Sequence, residues 1–295
     1  AQRAKLWRKN DLPPHILEMT AHPIPRTLAM SVYGDLSVSV IDELPPGRKP
    51  VNTVHRYDSS RLQVFNFLKQ QIAEGRQVYI VYPLIEESTH FDYKDLMDGY
   101  ESIEREFPKP DYQIAIVHGK MKPEDKAFEM KRFVDGKTQI MVATTVIEVG
   151  VNVPNASVMV IESSERFGLA QLHQLRGRVG RGAAKSYCIL MSSLKLSKEA
   201  KERITTMTAT NDGFKIAEKD MELRGPGDMM GTQQSGLVNL KIADIQADQG
   251  ILKHAKNAAF WVIQQDIDLQ EPKHQMIARA FNQLMKKQYF WNYIS

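Results

Sequence analysis

The sequence predicts a doubly wound parallel α/β domain followed by a smaller, mainly helical region. Three observations predict it. Apolar strand-like runs alternate with amphipathic helical stretches from Val51 to Ser193. The strand-like runs are continuously apolar rather than alternating, as expected of strands covered on both faces. After Ser193 the strand-like runs stop and only helical patterns remain.

Taken in order, residues 61–74, "RLQVFNFLKQQIAE", place Leu62, Phe65, Leu68 and Ile72 on one helical face, and Gly75 ends the helix. "QVYIVYPLI" follows as a buried strand. "DLMDGYESIEREF" aligns Leu96, Tyr100, Ile103 and Phe107, with Pro108 after it. "QIAIVHG" is the next strand. "KPEDKAFEMKRFVDG" opens on Pro123, which suits a first helical turn, and closes on Gly136. "QIMVATT", "SVMVIES" and "SYCILM" complete the strand set. Beyond them, "SKEAKERITTMTATNDGFKIAEKDMELRGPG" reads as two helices joined at Asn211-Asp212-Gly213 and ended by Gly225-Pro226-Gly227. "IADIQADQGILKHAKNAAFWVIQQD" and "HQMIARAFNQLMKKQYFWNY" read as two further amphipathic helices.

The first ~45 residues offer one apolar strand, Ile16 to Met19, then a proline-rich loop and the linker "VIDELPPGRKP". One strand and a loop bury no core, so this segment is expected to be the tail of a domain whose body lies before it. The expected division is residues 1–50 as that remnant and linker, 51–193 as the α/β domain, and 194–295 as a helical hairpin and C-terminal helical region.

Composition sets bounds. The 295 residues are 42% hydrophobic and 25% charged, which suits a globular chain. No apolar run approaches the ~18 residues of a membrane helix, and the first ten residues lack the apolar core of a signal peptide. The single cysteine, Cys188, excludes an intramolecular disulfide and is expected to be a buried small hydrophobe in a cytoplasmic protein. The net charge of +4 and pI near 8.9 are compatible with nucleic acid without demanding it.

Two motif-like stretches do not carry chemistry. Gly136-Lys137-Thr138 resembles the end of a phosphate-binding loop, but Lys131 stands where the first glycine is required, and the tripeptide precedes a strand instead of following one. "VSVIDEL" imitates a metal-holding Asp-Glu pair but runs into Pro45-Pro46. The chain as it stands contains no complete nucleotide-hydrolysis site, and no metal ligand set is assigned. "QLRGRVGRG", 174–182, does carry a signal. Three arginines alternate with glycines that let a backbone approach a partner, and a guanidinium fork matches two phosphate oxygens at once. Arg178 and Arg181 lie three apart, so on a helical turn they point the same way. Ligands of open α/β sheets gather at the carboxyl ends of the strands. Those ends carry "PLIEES", "HGKM", "TTVIEVGVNVP" and "ESSERFG", so all these groups are expected to share one phosphate-rich edge.

"TTVIEVGVNVP" followed by "FGLAQLHQLRGRVGRG" resembles the fifth and sixth motifs of superfamily 2 helicases. "MTAHPIPRTLAM", "VIDELPPGRKP", "PLIEES" and "HGKMKPEDK" resemble segments of the RecG branch, in that order. "DGFKIAEKDMELRGPGDMMGTQQSG" resembles the translocation motif shared by RecG and the transcription-repair coupling factor. The resemblance covers residues 1–248. It implies a RecA-like second motor domain, the C-terminal part of an ATP-dependent DNA translocase that remodels stalled forks and Holliday junctions. It further implies ATP and Mg²⁺ as cofactors of the whole motor, branched duplex DNA as partner, a monomeric state, and no turnover by this part alone.

The same resemblance implies residue roles. Arg178 and Arg181 match arginine fingers, and Gln174 a position that senses the nucleotide. Gly150 and Asn152 match the neighbouring ATP-binding turn, where related helicases often have Asp instead of Asn152. Thr144 and Thr145 match DNA-phosphate contacts, and His118-Gly119 matches another strand-end position near DNA. In the front segment Thr20-Ala21 matches the third motif, a DNA-binding position that links hydrolysis to DNA, with His22 where a Thr is usual. Arg203, Arg224 and Gln234 match the polar residues that tie the translocation hairpin to its loop. The alternatives are a coupling-factor type translocase, and a RecA-like module that binds nucleic acid without hydrolysing anything.

Overall fold

The structure, a computed structural model, describes residues 47–83, 89–144, 153–182, 184–228 and 248–291, together with Leu17, Met19, Ser39, Ile41 and Glu43. The expected strand at Ile16–Met19 therefore lies outside the described residues apart from Leu17 and Met19, which are exposed. The described residues fall into two compact units, one ending at Asp228 and one spanning Asp248 to Trp291.

The first unit is built on a six-stranded, wholly parallel sheet. Its strands are β1 (Asn52–Tyr57), β2 (Gln77–Tyr82), β3 (Ile114–Val117), β4 (Ile140–Thr144), β5 (Ala156–Ile161) and β6 (Tyr187–Ser192), in the order β1-β6-β5-β2-β4-β3. The helices are α1 (Arg61–Ala73), α2 (Thr89–Glu106), α3 (Pro123–Val134), α4 (Leu169–Arg176), α5 (Lys198–Ala209) and α6 (Gly213–Asp228). The period of two along each strand sends alternate side chains to opposite faces. Val78 and Ile80 of β2 join Phe65, Leu68, Leu96, Ile103 and Phe107 from α1, α2 and the residue after it. Tyr79 and Val81 face the other way, onto Phe133 of α3, Leu169, Leu172 and Leu175 of α4, and Ile204 and Met207 of α5. Two cores on one sheet explain why β2, β4 and β5 read as continuous apolar runs.

Helix ends follow their sequence signals. Pro123 opens α3, and Gly75 and Gly136 take left-handed φ values of 80° and 71° directly after α1 and α3. Gln77 holds the amino end of β2 by donating from Nε2 to the carbonyls of Phe133 (2.6 Å) and Thr138 (2.8 Å), which satisfies two buried acceptors.

Three expectations are corrected. Leu62 is exposed, and the buried face of α1 is Val64, Phe65, Leu68 and Gln71. The helix begins at Arg61, whose guanidinium bonds Glu162 across the sheet end, and that fixes a rotation the apolar spacing alone did not reveal. Strand β1 was not expected: among the described residues it pairs only with β6, it is largely solvent-facing, and so it has no apolar run to betray it. Helix α6 continues through Gly225-Pro226-Gly227 to Asp228, so the triplet sits within the last turn instead of ending it.

The second unit contains α7 (Gln249–Gln265) and α8 (Gln275–Trp291). Asp266 clasps the connection. Its Oδ2 accepts from His274 Nδ1 (2.9 Å) and the Glu271 amide (2.8 Å), and its Oδ1 from the Gln270 amide (2.9 Å). Burial opposes ionisation of Asp266, but these hydrogen bonds outweigh it and hold the carboxyl below its ordinary range. A lowered carboxyl value in the folded state stabilises fully above the unfolded value of about 3.9 and is lost as pH falls through the folded one. Asp266→Asn is therefore expected to lower the midpoint of helix melting near pH 7. It should also flatten the acid dependence seen by circular dichroism below about pH 4.

Candidate functional site

Arg178 and Arg181 stand in the loop between α4 and β6. Leu169, Leu172 and Leu175 bury one side of α4, as their spacing requires, so the helix is fixed on the sheet and delivers the loop at its end. The amides of Gly177 and Arg178 bond back to the carbonyls of His173 (3.0 Å) and Leu175 (3.0 Å), which closes the helix. Arg178 and Arg181 thus leave from a turn and not from a continuing helix. Gly180 takes φ +77° there; a Cβ would lie 2.8 Å from Val51 Cγ2. At Gly182 a Cβ would lie 2.6 Å from the Pro154 carbonyl oxygen, a backbone atom. Arg48 Nε donates to the Gly180 carbonyl at 3.0 Å and pins the loop to the chain before β1.

Those neighbours place the loop. Val51 precedes β1, Pro154 precedes β5, and Ser186 precedes β6, so the arginine loop lies at the amino edge of the sheet. His118 and Gly119 follow β3, and Thr144 ends β4, at the carboxyl edge. The expectation that all the phosphate-seeking residues share one edge is thus corrected. A strand of five to six residues at ~3.3 Å each separates the two groups by roughly 16–20 Å. The rule about carboxyl ends holds for residues that terminate strands; the arginines reach the sheet from the far end of a crossover helix, which reverses direction.

Among the described residues no carboxylate pairs with the cations at the amino edge. The Arg178 guanidinium makes no hydrogen bond or ion pair among the described residues, and the Arg181 guanidinium donates there only from Nε to the Gly177 carbonyl at 3.3 Å. Burial pulls the Arg178 guanidinium below its ordinary range, the like charge of Arg181 adds to this, and Tyr79 opposes it. It stays charged at any accessible pH. Tyr79, on β2, lies beneath both: burial pushes its phenol up to about 12, against the pull of Arg181 and Arg178. Two partly desolvated guanidiniums without a carboxylate among the described residues form a receptor for an anion. Gln174 is half-buried on the last turn of α4, before this loop. Gly150 and Asn152 lie outside the described residues. Gly180→Ala is expected to cost about 1–2 kcal/mol, read as a lower midpoint in urea unfolding, because an L side chain resists this φ.

At the carboxyl edge, the Met121 amide bonds the His118 carbonyl (3.2 Å), and Lys126 Nζ reaches the Gly119 carbonyl (3.5 Å). Burial, then Lys126 and Lys120, hold His118 below its ordinary range, so the imidazole is neutral beside two ammonium groups at neutral pH. A Cβ at Gly119 would meet open space. The Thr144 hydroxyl is buried and has no hydrogen-bond partner among the described residues. Thr20 and Thr145 lie outside them.

Arg203, on α5, donates from Nη2 to the Glu165 carbonyl at 2.8 Å, in the turn Ser164–Arg166 that follows β5. Arg224 lies in α6, but its side chain, and Gln234 altogether, lie outside the described residues, so the expected three-way network is not on view. Sequence reasoning missed three contributors. Tyr79 hid within an apolar strand. Glu162, buried at the end of β5, accepts a two-pronged bond from Arg61 at 2.6 and 2.9 Å. Arg176 is the most buried of the three arginines in 174–182. A charged residue on an apolar helix face was its only signal.

The sheet order, its two cores and an arginine-bearing loop between α4 and β6 define a RecA-like helicase C-terminal domain. Consistently, residues 63–183 match the helicase conserved C-terminal domain, and residues 210–295 match the family described as ATP-dependent DNA helicase RecG, domain 3, C-terminal. The chain belongs to the RecG family and corresponds to its C-terminal region. It is 49% identical over 270 residues to the ATP-dependent DNA helicase RecG of Synechocystis sp., covering 91% of this chain and 32% of that protein. With the RecG of Bacillus subtilis it shares 46% identity over 276 residues, covering 94% and 40% respectively. The chain thus spans about a third to two fifths of the length of these relatives. A solved structure of RecG bound to a three-way DNA junction superposes with a TM-score of 0.61 at 46% identity, over 79% of this chain and 30% of that one.

Proposed function

We propose that this chain forms the second motor lobe and translocation region of an ATP-dependent helicase that remodels branched duplex DNA. The observation that carries the reading is the pair Arg178 and Arg181: partly desolvated and without an ion pair among the described residues. Such a pair fits the phosphates of a nucleotide held by another lobe, where it stabilises charge that develops as the γ-phosphate leaves. ATP with its Mg²⁺ would supply that chemistry, with Gln174, on the helical turn before the fingers, and Gly150 and Asn152 assigned to the same nucleotide by their motif. The carboxyl edge, with His118, Gly119, Thr144 and Thr145, and Thr20 from the front segment, would meet the DNA backbone. The separation of the two sets by the height of the sheet suits a lobe that touches nucleotide at one end and DNA at the other.

Arg203, Arg224 and Gln234 would pass movement of the lobe to duplex DNA. The division at residues 50 and 193, a monomeric motor and a cytoplasmic location belong to the same reading. Among the described residues no helix is long and apolar enough to cross a membrane. The 295 residues contain no complete phosphate-binding loop of the form GxxxxGK[ST]. Phosphate release by this chain alone, with branched DNA present, is therefore expected to match the buffer blank. A chain of the relatives' length should show DNA-stimulated turnover. Turnover by the isolated chain would contradict the assignment.

A further inference from the structure

The arginine that ends α4, Arg176, has no place in the reading above, and its surroundings are unusual. It is 3% exposed and has no carboxylate partner among the described residues. Its Nη1 donates to the carbonyls of Met207 (2.9 Å) and Thr210 (2.8 Å), with the Thr53 hydroxyl at 3.4 Å. Its Nη2 lies 3.1 Å from His173 Nδ1, which must accept. Burial pulls its guanidinium below the ordinary range. Met207 lies in the last turn of α5 and Thr210 caps it. Their carbonyls belong to the set a helix leaves unbonded at its C-terminus, where partial negative charge collects. A cation buried for packing alone would be costly beside a leucine of similar reach. Here the helix end supplies the counter-charge.

The middle of α5 is tied as well. Arg203 Nη2 bonds the Glu165 carbonyl, one turn of chain before α4 begins. The segment from the turn Ser164–Arg166 through α4 therefore holds α5 at two points, at that turn and at the end of α4. The second point is separated from Arg178 by one glycine.

We infer that Arg176 is a positioning residue that makes the arginine loop and α5 move as one body, so that a shift of Arg178 and Arg181 is passed into the α5–α6 hairpin. This rests on the motor reading above. Arg176 touches no nucleotide in this scheme; it acts on the helix that follows. Its fork is needed because one nitrogen spans two carbonyls while the other meets His173, a geometry an ammonium does not reproduce.

The test uses a RecG-length chain of this protein and compares wild type, Arg176→Gln, Arg176→Lys and Arg203→Gln. Base pairs unwound per ATP hydrolysed on a three-way junction are measured, together with the thermal midpoint. The expected result is a drop of tenfold or more in base pairs per ATP for Arg176→Gln and Arg203→Gln, with a smaller drop for Arg176→Lys. A ratio equal to wild type in Arg176→Gln, with wild type active, overturns this inference and leaves the motor reading standing. Unwinding and hydrolysis lost in equal proportion, alongside a lower midpoint in both Arg176 variants, assigns Arg176 to stability alone and also overturns it. A wild-type chain that hydrolyses no ATP on any branched DNA overturns the motor reading and this inference with it.

Discussion

Replacing Arg178 by alanine in a chain of RecG length is expected to lower DNA-stimulated ATP turnover by about 10³-fold, and Arg181→Ala by a similar factor. That is about 4 kcal/mol of transition-state stabilisation. The size follows from the setting. Both guanidiniums sit partly out of water, where a charge interaction is far stronger than at an open surface, and no internal carboxylate among the described residues has to be displaced first. DNA affinity should change by less than about threefold, because the groups proposed to meet DNA lie at the opposite edge, roughly 16–20 Å away. Arg178→Lys should recover little, since an ammonium cannot meet two phosphate oxygens in one plane. Turnover and junction affinity measured on the same preparations separate these effects. A parallel loss of both would show that the loop serves DNA and not nucleotide.

The largest effect on stability is expected at Phe107. It is fully buried just beyond α2, edge-on to Phe65 (5.6 Å between ring centres) and Tyr112 (5.1 Å). Lys69 Nζ lies 5.5 Å from its ring centre. Phe107→Ala removes one ring from a core that includes α1, α2, β2 and β5, and aromatic truncations in cores cost about 3–5 kcal/mol. Whole-domain stabilities run to only about 5–15 kcal/mol, so the variant should unfold at a much lower urea concentration. A change below about 1 kcal/mol would mean that the helices can collapse into the gap.

The fold was legible where one physical cause dominated. Double burial made β2, β4 and β5 apolar without interruption, and Gly75, Gly136 and Pro123 mark helix ends because no other residue suits those backbone positions as well. Where two causes competed, the reading slipped. Leu62 followed the apolar spacing, yet the Arg61–Glu162 bond sets the rotation of α1 and turns Leu62 to solvent. Strand β1 owes its place to backbone pairing with β6, which leaves no trace in side-chain polarity.

The site was half legible. The glycine and arginine spacing of 174–182 pointed to an anion, and the arginine-finger roles proposed for Arg178 and Arg181 rest on its likeness to helicase motifs. That the arginines and the strand-end residues occupy opposite edges was not legible. It depends on which end of a crossover helix delivers the loop, and local sequence does not carry that information. Arg176 was hidden for a related reason: its partners are backbone carbonyls 31 and 34 positions away, and carbonyls have no signature in a sequence.

Amide hydrogen exchange of the segment 177–182, in a RecG-length chain on a three-way junction, tests most directly whether this loop closes on a nucleotide. Adding a non-hydrolysable ATP mimic should slow exchange in that segment several-fold, through contacts made at the amino edge. Exchange there that is indifferent to the mimic, with slowing confined to the residues around His118 and Thr144, would place the nucleotide elsewhere and contradict the account.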